Sequence, residues 1–219
     1  MESKLNRSVS STIGWITTTR IEALSDGVFA IAMTLMIFNI KVPQIPSERV
    51  AAELTRRLLD LWPHFLVYLI SFAMAGVYWV GHHNQYHHIR RTNRVLLWIN
   101  IALLLCVTLI PFSTALLGSY PTHQGAVVLY ATNLILVGLV LFIHWHYATS
   151  QHALVDPDLD PELIRLASRR ILMGPALLAL AIVFSFVSTQ GSLVLCGVVP
   201  VLYILPGRID RYWKPTSSE

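Results

Sequence analysis

Six apolar runs separated by polar joints constrain this chain more than any other feature. They fall at about residues 21–40, 62–81, 95–117, 125–147, 171–188 and 192–206. At about 1.5 Å per residue, roughly 20 residues cross a hydrocarbon core of about 30 Å, and every run but the last comes close to that length. With 54% hydrophobic and only 13% charged residues over 219 positions, the composition excludes an ordinary soluble domain. The expected fold is an all-α integral membrane protein with six transmembrane helices. The last run is short and carries Pro200 and Pro206, so it is the span expected to be tilted or partly irregular.

Charge sets the orientation of these spans. Of the 16 Lys and Arg residues, twelve lie on one side: Lys4, Arg7 and Arg20; Arg90, Arg91 and Arg94; Arg165, Arg169 and Arg170; Arg208, Arg211 and Lys214. The opposite joints hold Lys41, Arg49, Arg56 and Arg57, all in the first of them. The positive-inside rule therefore places both termini in the cytoplasm. Residues 1–19 form a cytoplasmic N-terminal segment, 20–207 the six-helix membrane domain and 208–219 a cytoplasmic tail. The first 19 residues have no apolar core before a small-residue cleavage site, so no cleavable signal peptide is expected. The basic residues form short clusters between apolar runs, so the net charge of +4 does not point to nucleic acid.

Local chemistry marks some joints. Asp160 is placed to cap a helix with Pro161 at its first position and Glu162 in its first turn. Asp156, Asp158 and Asp160 alternate without the glycine and terminal Glu of a calcium loop, which reads as a solvated turn. Cys106 and Cys196 both fall in apolar runs and give neither a disulfide framework nor a metal motif. No internal repeat is evident, so any pore symmetry must come from oligomerisation.

The first run, RIEALSDGVFAIAMTLMIFNIKV from Arg20, carries acids inside a span. Intramembrane acids need a partner or a function. At 100° per residue, Leu24, Gly27, Ile31, Thr34, Leu35 and Phe38 fall within about 60° of the Arg20 line. Glu22, Ser25, Phe29, Met33 and Met36 fall opposite, with Asp26 beside them. The polar side should therefore pack on other helices and meet donors there, from Arg20, His82 or His83. Ser25 and Asp26 read either as a polar staple that fixes helix packing or as part of a gate. The stripe reads as a packing or lipid face in one copy, and as rings of a hydrophobic tube if several copies meet around it.

The stretch RIEALSDGVFAIAMTL resembles the signature Arg-x-x-x-Phe-Ser-Asp, followed by an apolar run with Thr, of the transmembrane protein 175 family of potassium channels. YWVGHHNQYHHIRRTNRVLLWINIALLLCVTLIPFSTALLG resembles the same family through Trp79, His82 and His83, Asn100 and Pro111-Phe112-Ser113-Thr114. The resemblance implies a prokaryotic six-span subunit that assembles as a homotetramer in the cell (inner) membrane, with the first helices lining a central pore. It implies a main hydrophobic constriction at Ile31, further rings at Leu35 and Phe38, and a nearby hydroxyl at Thr34. It also implies a polar network of Arg20, Ser25 and Asp26 with a histidine of the second span, His82 or His83. The family's Phe is Leu24 here, which keeps an apolar contact and loses an aromatic one.

Two other classes compete. His83 and His87 are four apart and could form a metal or haem site with a further ligand from His144, His146 or His152, though no Cys or acid completes a familiar spacing. A secondary transporter would call for broken helices or an internal repeat. No catalytic set can be placed in one pocket, so no enzyme is expected. The reading that follows is a potassium-permeable channel with potassium ions and the lipid bilayer as partners, no resident cofactor or metal, and no nucleic acid.

Overall fold

A computed structural model describes residues 17–150 and 154–205. Lys4, Arg7, His152, Pro206, Arg208, Arg211 and Lys214 lie outside the described residues, as does most of each expected terminal segment. The described chain is helical: α1 Thr18–Leu35, α2 Val50–Leu59, α3 Trp62–His88, α4 Arg94–Thr108, α5 Ile110–Ser119, α6 Gln124–Thr149, α7 Pro161–Ser185 and α8 Thr189–Ile204. Two short 3₁₀ turns, Met36–Asn39 and Ser47–Arg49, flank the loop between α1 and α2. Among the described residues, five spans are long and apolar enough to cross a membrane, with α4 and α5 together making one, and α8 is a shorter apolar helix of 16 residues.

The helix starts follow side-chain chemistry. Asn93 Oδ1 accepts from the Leu96 amide at 2.9 Å and opens α4, Asp160 Oδ1 accepts from the Glu162 amide at 2.8 Å and opens α7, and Ser188 Oγ accepts from the Gly191 amide at 3.1 Å and opens α8. Each cap satisfies an amide that the first helical turn leaves without a partner. The Asp158 amide donates to Asp156 Oδ1 at 3.2 Å, which closes the acidic stretch as a local turn.

Three boundaries differ from the hydropathy pattern. α3 runs on to His88, because hydropathy stops at the membrane surface and the helical hydrogen bonds do not. Its 27 residues reach roughly 40 Å, beyond the hydrocarbon core. The expected third span is two helices rather than one, broken at Leu109. Pro111 has no N–H to give the Val107 carbonyl, which ends the ladder there. The first span leaves α-helical geometry at Met36 and finishes as a 3₁₀ turn, where Asn39 Nδ2 donates to the Pro111 carbonyl at 3.0 Å.

α6 is the central post: half of its most apolar stretch is buried, against about a quarter for α1 and α3. α4 and α5 pack on one side of it, α7 on another, and α1 lies against α4 and α3. A Cβ at Gly138 of α6 would lie 2.6 Å from Pro175 Cγ of α7, so glycine is what lets these two backbones approach. The core joins Phe29 of α1 and Met36 of the 3₁₀ turn that follows it to Met74, Leu103, Val107, Tyr130, Leu134 and Leu178. Polar links cross the same interior: Ser71 Oγ donates to Tyr130 Oη at 3.1 Å and Tyr78 Oη to the Leu134 carbonyl at 2.7 Å.

Candidate functional site

The first span presents two unlike faces. Ile21, Ser25, Phe29, Ala32 and Met36 are buried against α3, α4 and α5. Leu24, Ile31, Leu35 and Phe38 point out of the helical bundle at 48%, 59%, 47% and 75% exposure, and Gly27 and Thr34 are exposed with them. The division follows from the helix itself, since residues three and four apart share a face. The outward stripe is apolar apart from Thr34, whose hydroxyl is bonded back to the Ala30 and Ile31 carbonyls at 2.9 and 3.0 Å. Its remaining lone pairs face outward with the stripe.

The inward face carries a buried polar chain. Asn100 Nδ2 of α4 donates to Ser25 Oγ at 3.2 Å, and Asn100 Oδ1 lies 2.9 Å from His82 Nε2 of α3. Ser25 Oγ in turn donates to the Ile21 carbonyl at 2.8 Å. All three side chains are essentially buried, at 0%, 0% and 1% exposure. The chain thus fixes the rotation of α1 against two neighbours, because none of its members can find water if the helix turns.

His82 is the histidine that meets this chain, whereas His83 is exposed and stacks on Trp79 at 5.7 Å. The Trp79 indole donates to Asp26 Oδ1 at 2.8 Å. Asp26 is itself exposed, so it sits at the border between the two faces rather than within the packed side. The two polar residues of the motif therefore divide, Ser25 bonding to Asn100, which in turn meets His82, and Asp26 bonding to Trp79. Arg20 is exposed, and its side chain makes no hydrogen bond or ion pair among the described residues.

Asn100 and Trp79 were not assigned roles from the sequence, although both carried signals. Asn100 is an amide inside the apolar run RVLLWINIALLLCV, where an unsatisfied polar group is costly. A second buried cluster continues inward: His144 Nδ1 of α6 lies 2.7 Å from Gln85 Oε1 and its Nε2 lies 3.2 Å from Tyr86 Oη. Gln85 Nε2 donates to the Leu141 carbonyl at 3.0 Å. His144 therefore faces α3 inside the bundle, turned away from the exposed His83 and His87. Among the described residues, no three His, Cys, Asp or Glu side chains gather to hold a metal ion.

Comparison with known proteins covers the same part of the molecule. Residues 20–111, which run from α1 through α4, match the family model described as "Endosomal/lysosomal potassium channel TMEM175". A potassium channel of Chamaesiphon minutus is 37% identical over 191 residues, covering 86% of this chain and 94% of that protein. The chain belongs to the TMEM175 family. A potassium channel of Streptomyces collinus is 33% identical over 189 residues, covering 84% of this chain and 90% of its own length. The crystal structure of a lysosomal potassium-selective channel TMEM175 homolog from Chamaesiphon minutus superposes with a TM-score of 0.75 at 36% identity, covering 85% of this chain and 95% of that one. This TMEM175-family chain is accordingly a multi-pass, all-helical membrane protein of a channel family, not an enzyme.

Proposed function

We propose that this chain is the subunit of a potassium-permeable cation channel whose pore is enclosed by the α1 stripes of four identical copies. The observation that carries the reading is the division of α1: Ile31, Leu35 and Phe38 stand outside the subunit while Ser25 is locked inside it. Relatives named potassium channels, 33% and 37% identical over most of both chains, supply the ion. Four α1 helices around an axis would turn the stripe into rings, with Ile31 as the main constriction, Leu35 and Phe38 beyond it and Thr34 offering hydroxyls beside it. A dry apolar ring admits an ion only when wetted, and the cost of shedding water differs between potassium and sodium. No resident cofactor takes part, and the ion is cargo.

In this reading the protein spans a prokaryotic cell membrane with both termini cytoplasmic, as the basic joints direct. The decisive experiment is the reversal potential of the purified protein in a bilayer with potassium on one side and sodium on the other. A displaced reversal potential that favours potassium supports the channel, and absence of current refutes it. Ile31→Asn should then move the reversal potential towards that of an unselective pore. An unmoved value would remove Ile31 from the constriction.

A further inference from the structure

The helix α2, Val50–Leu59, stands apart from the bundle: among its ten residues only Glu53 is even partly buried. Its side chains sort by chemistry. At 100° per residue, Val50, Ala51, Leu54 and Leu58 share an arc of about 100°, and Glu53, Arg56 and Arg57 share a separate one. The charged side is satisfied within itself, since Glu53 meets Arg49 at 3.7 Å and Arg57 at 3.1 Å. The apolar side is uncovered: Val50, Leu54 and Leu58 are exposed at 38%, 42% and 49%. The chain then passes into α3 without slack. The Asp60 amide donates to the Arg56 carbonyl at 2.9 Å, the Leu61 amide to the Leu58 carbonyl at 3.2 Å and the Phe65 amide to the Leu61 carbonyl at 3.1 Å. Pro63, which has no N–H for the Leu59 carbonyl, sets the break between the two helices. α2 is therefore held at the depth of Trp62, the exposed first residue of the second membrane span.

We propose that α2 lies flat in the membrane–water interface, with Val50, Leu54 and Leu58 among the upper acyl chains of the bilayer and Arg56 and Arg57 towards water. The first turn of a spanning helix stands at the membrane surface, and an exposed tryptophan is a side chain suited to that depth. A helix fixed there with one apolar and one charged side is complementary to the boundary between hydrocarbon and water. Lipid also reaches this face without a further partner, because Trp62, Phe65, Leu66 and Leu69 carry exposed apolar surface down one face of α3 into the hydrocarbon layer. The charge balance says what holds the helix. Glu48, Glu53 and Asp60 offset Arg49, Arg56 and Arg57, so burial of apolar surface, rather than attraction to charged headgroups, is the driving force. The placement depends on the spans alone, not on conduction or on which side of the membrane the loop lies.

Photo-cross-linking of the full-length protein in lipid vesicles tests the placement without any current. p-Benzoylphenylalanine introduced at Leu54 should form lipid adducts several-fold more often than the same probe at Arg56, with similar yields in phosphatidylcholine and phosphatidylglycerol vesicles. Both positions are exposed, so the probe enters without displacing the core. Equal adduct yields at the two positions would overturn the proposal, because α2 would then have no side turned to the bilayer. A chain-to-chain cross-link at Leu54 in place of the lipid adduct would overturn it in favour of cover by a second copy. Adducts confined to phosphatidylglycerol vesicles would overturn it as well, since headgroup charge would then hold the helix.

Discussion

The two sides of α1 have similar length and share one backbone, yet they are held by different physics. The inward side is fixed by directional bonds, Ser25 to Asn100 to His82, in a place with no water to replace them. The outward side, Ile31 to Phe38, has no specific partner among the described residues and is shaped by the helix period. The contrast teaches that the first helix is aimed from behind. What the stripe meets is decided by a network that never touches it, so the two sides can be perturbed separately.

Asn100→Leu should produce the largest effect on stability. It leaves Ser25 without its donor and the buried His82 Nε2 without a partner, and at about 1–3 kcal/mol for each orphaned buried group the loss is roughly 2–6 kcal/mol. The expected outcome is a markedly lower melting temperature in detergent and poor recovery of assembled protein. A variant that melts like the wild type would show that packing alone aims α1. Ser25→Ala should cost less, about 1 kcal/mol, because only the Asn100 amide loses an acceptor while the helix carbonyl keeps its backbone bond.

Much of this contrast can be read in the chain before folding. The α1 wheel separates Ile31, Leu35 and Phe38 from Ser25 and Phe29 because both sets repeat at the helical period. Asp160, Pro161 and Glu162 announce the start of α7 because capping is a local matter. The choice of His82 over His83 is not local. It depends on how α3 is rotated against α4, and that is set by Asn100, 18 positions away in sequence. The amphipathic helix α2 also escapes a search for apolar runs, since charged residues such as Glu53 and Arg57 interrupt its apolar positions and pair with each other at 3.1 Å. The break at Leu109 hides inside a continuous apolar run, where hydropathy does not register the missing amide of Pro111.

Asp26 lies on the border and sharpens the comparison. Asp26→Asn keeps an oxygen for the Trp79 indole and should stay near the wild-type melting temperature. Asp26→Ala should lose up to about 1 kcal/mol, little because the pair is exposed to its surroundings. Trp79→Phe should cost a similar amount, and the double variant should be no worse than either single one if the two residues act only through their shared bond. Additive losses in that thermal series would mean that Asp26 and Trp79 each act through contacts other than their shared bond.

The smallest expected change in stability, and the cleanest separation of the two faces, comes from Thr34→Val. The Thr34 hydroxyl returns to the carbonyls of Ala30 and Ile31, which are also acceptors in the helix ladder, and the residue is exposed. A side chain of the same shape should therefore leave the melting temperature within about 0.5 kcal/mol of wild type. Permeation should respond nonetheless. If the outward stripe lines the ion path, removing a hydroxyl beside Ile31 takes away a group that can stand in for water, and single-channel potassium conductance should fall. If the stripe faces only lipid or a tight helix contact, conductance should be untouched. A drop in melting temperature with unchanged conductance would reverse the assignment of the two faces, because it would make Thr34 part of the packing and leave the ion path to be found elsewhere.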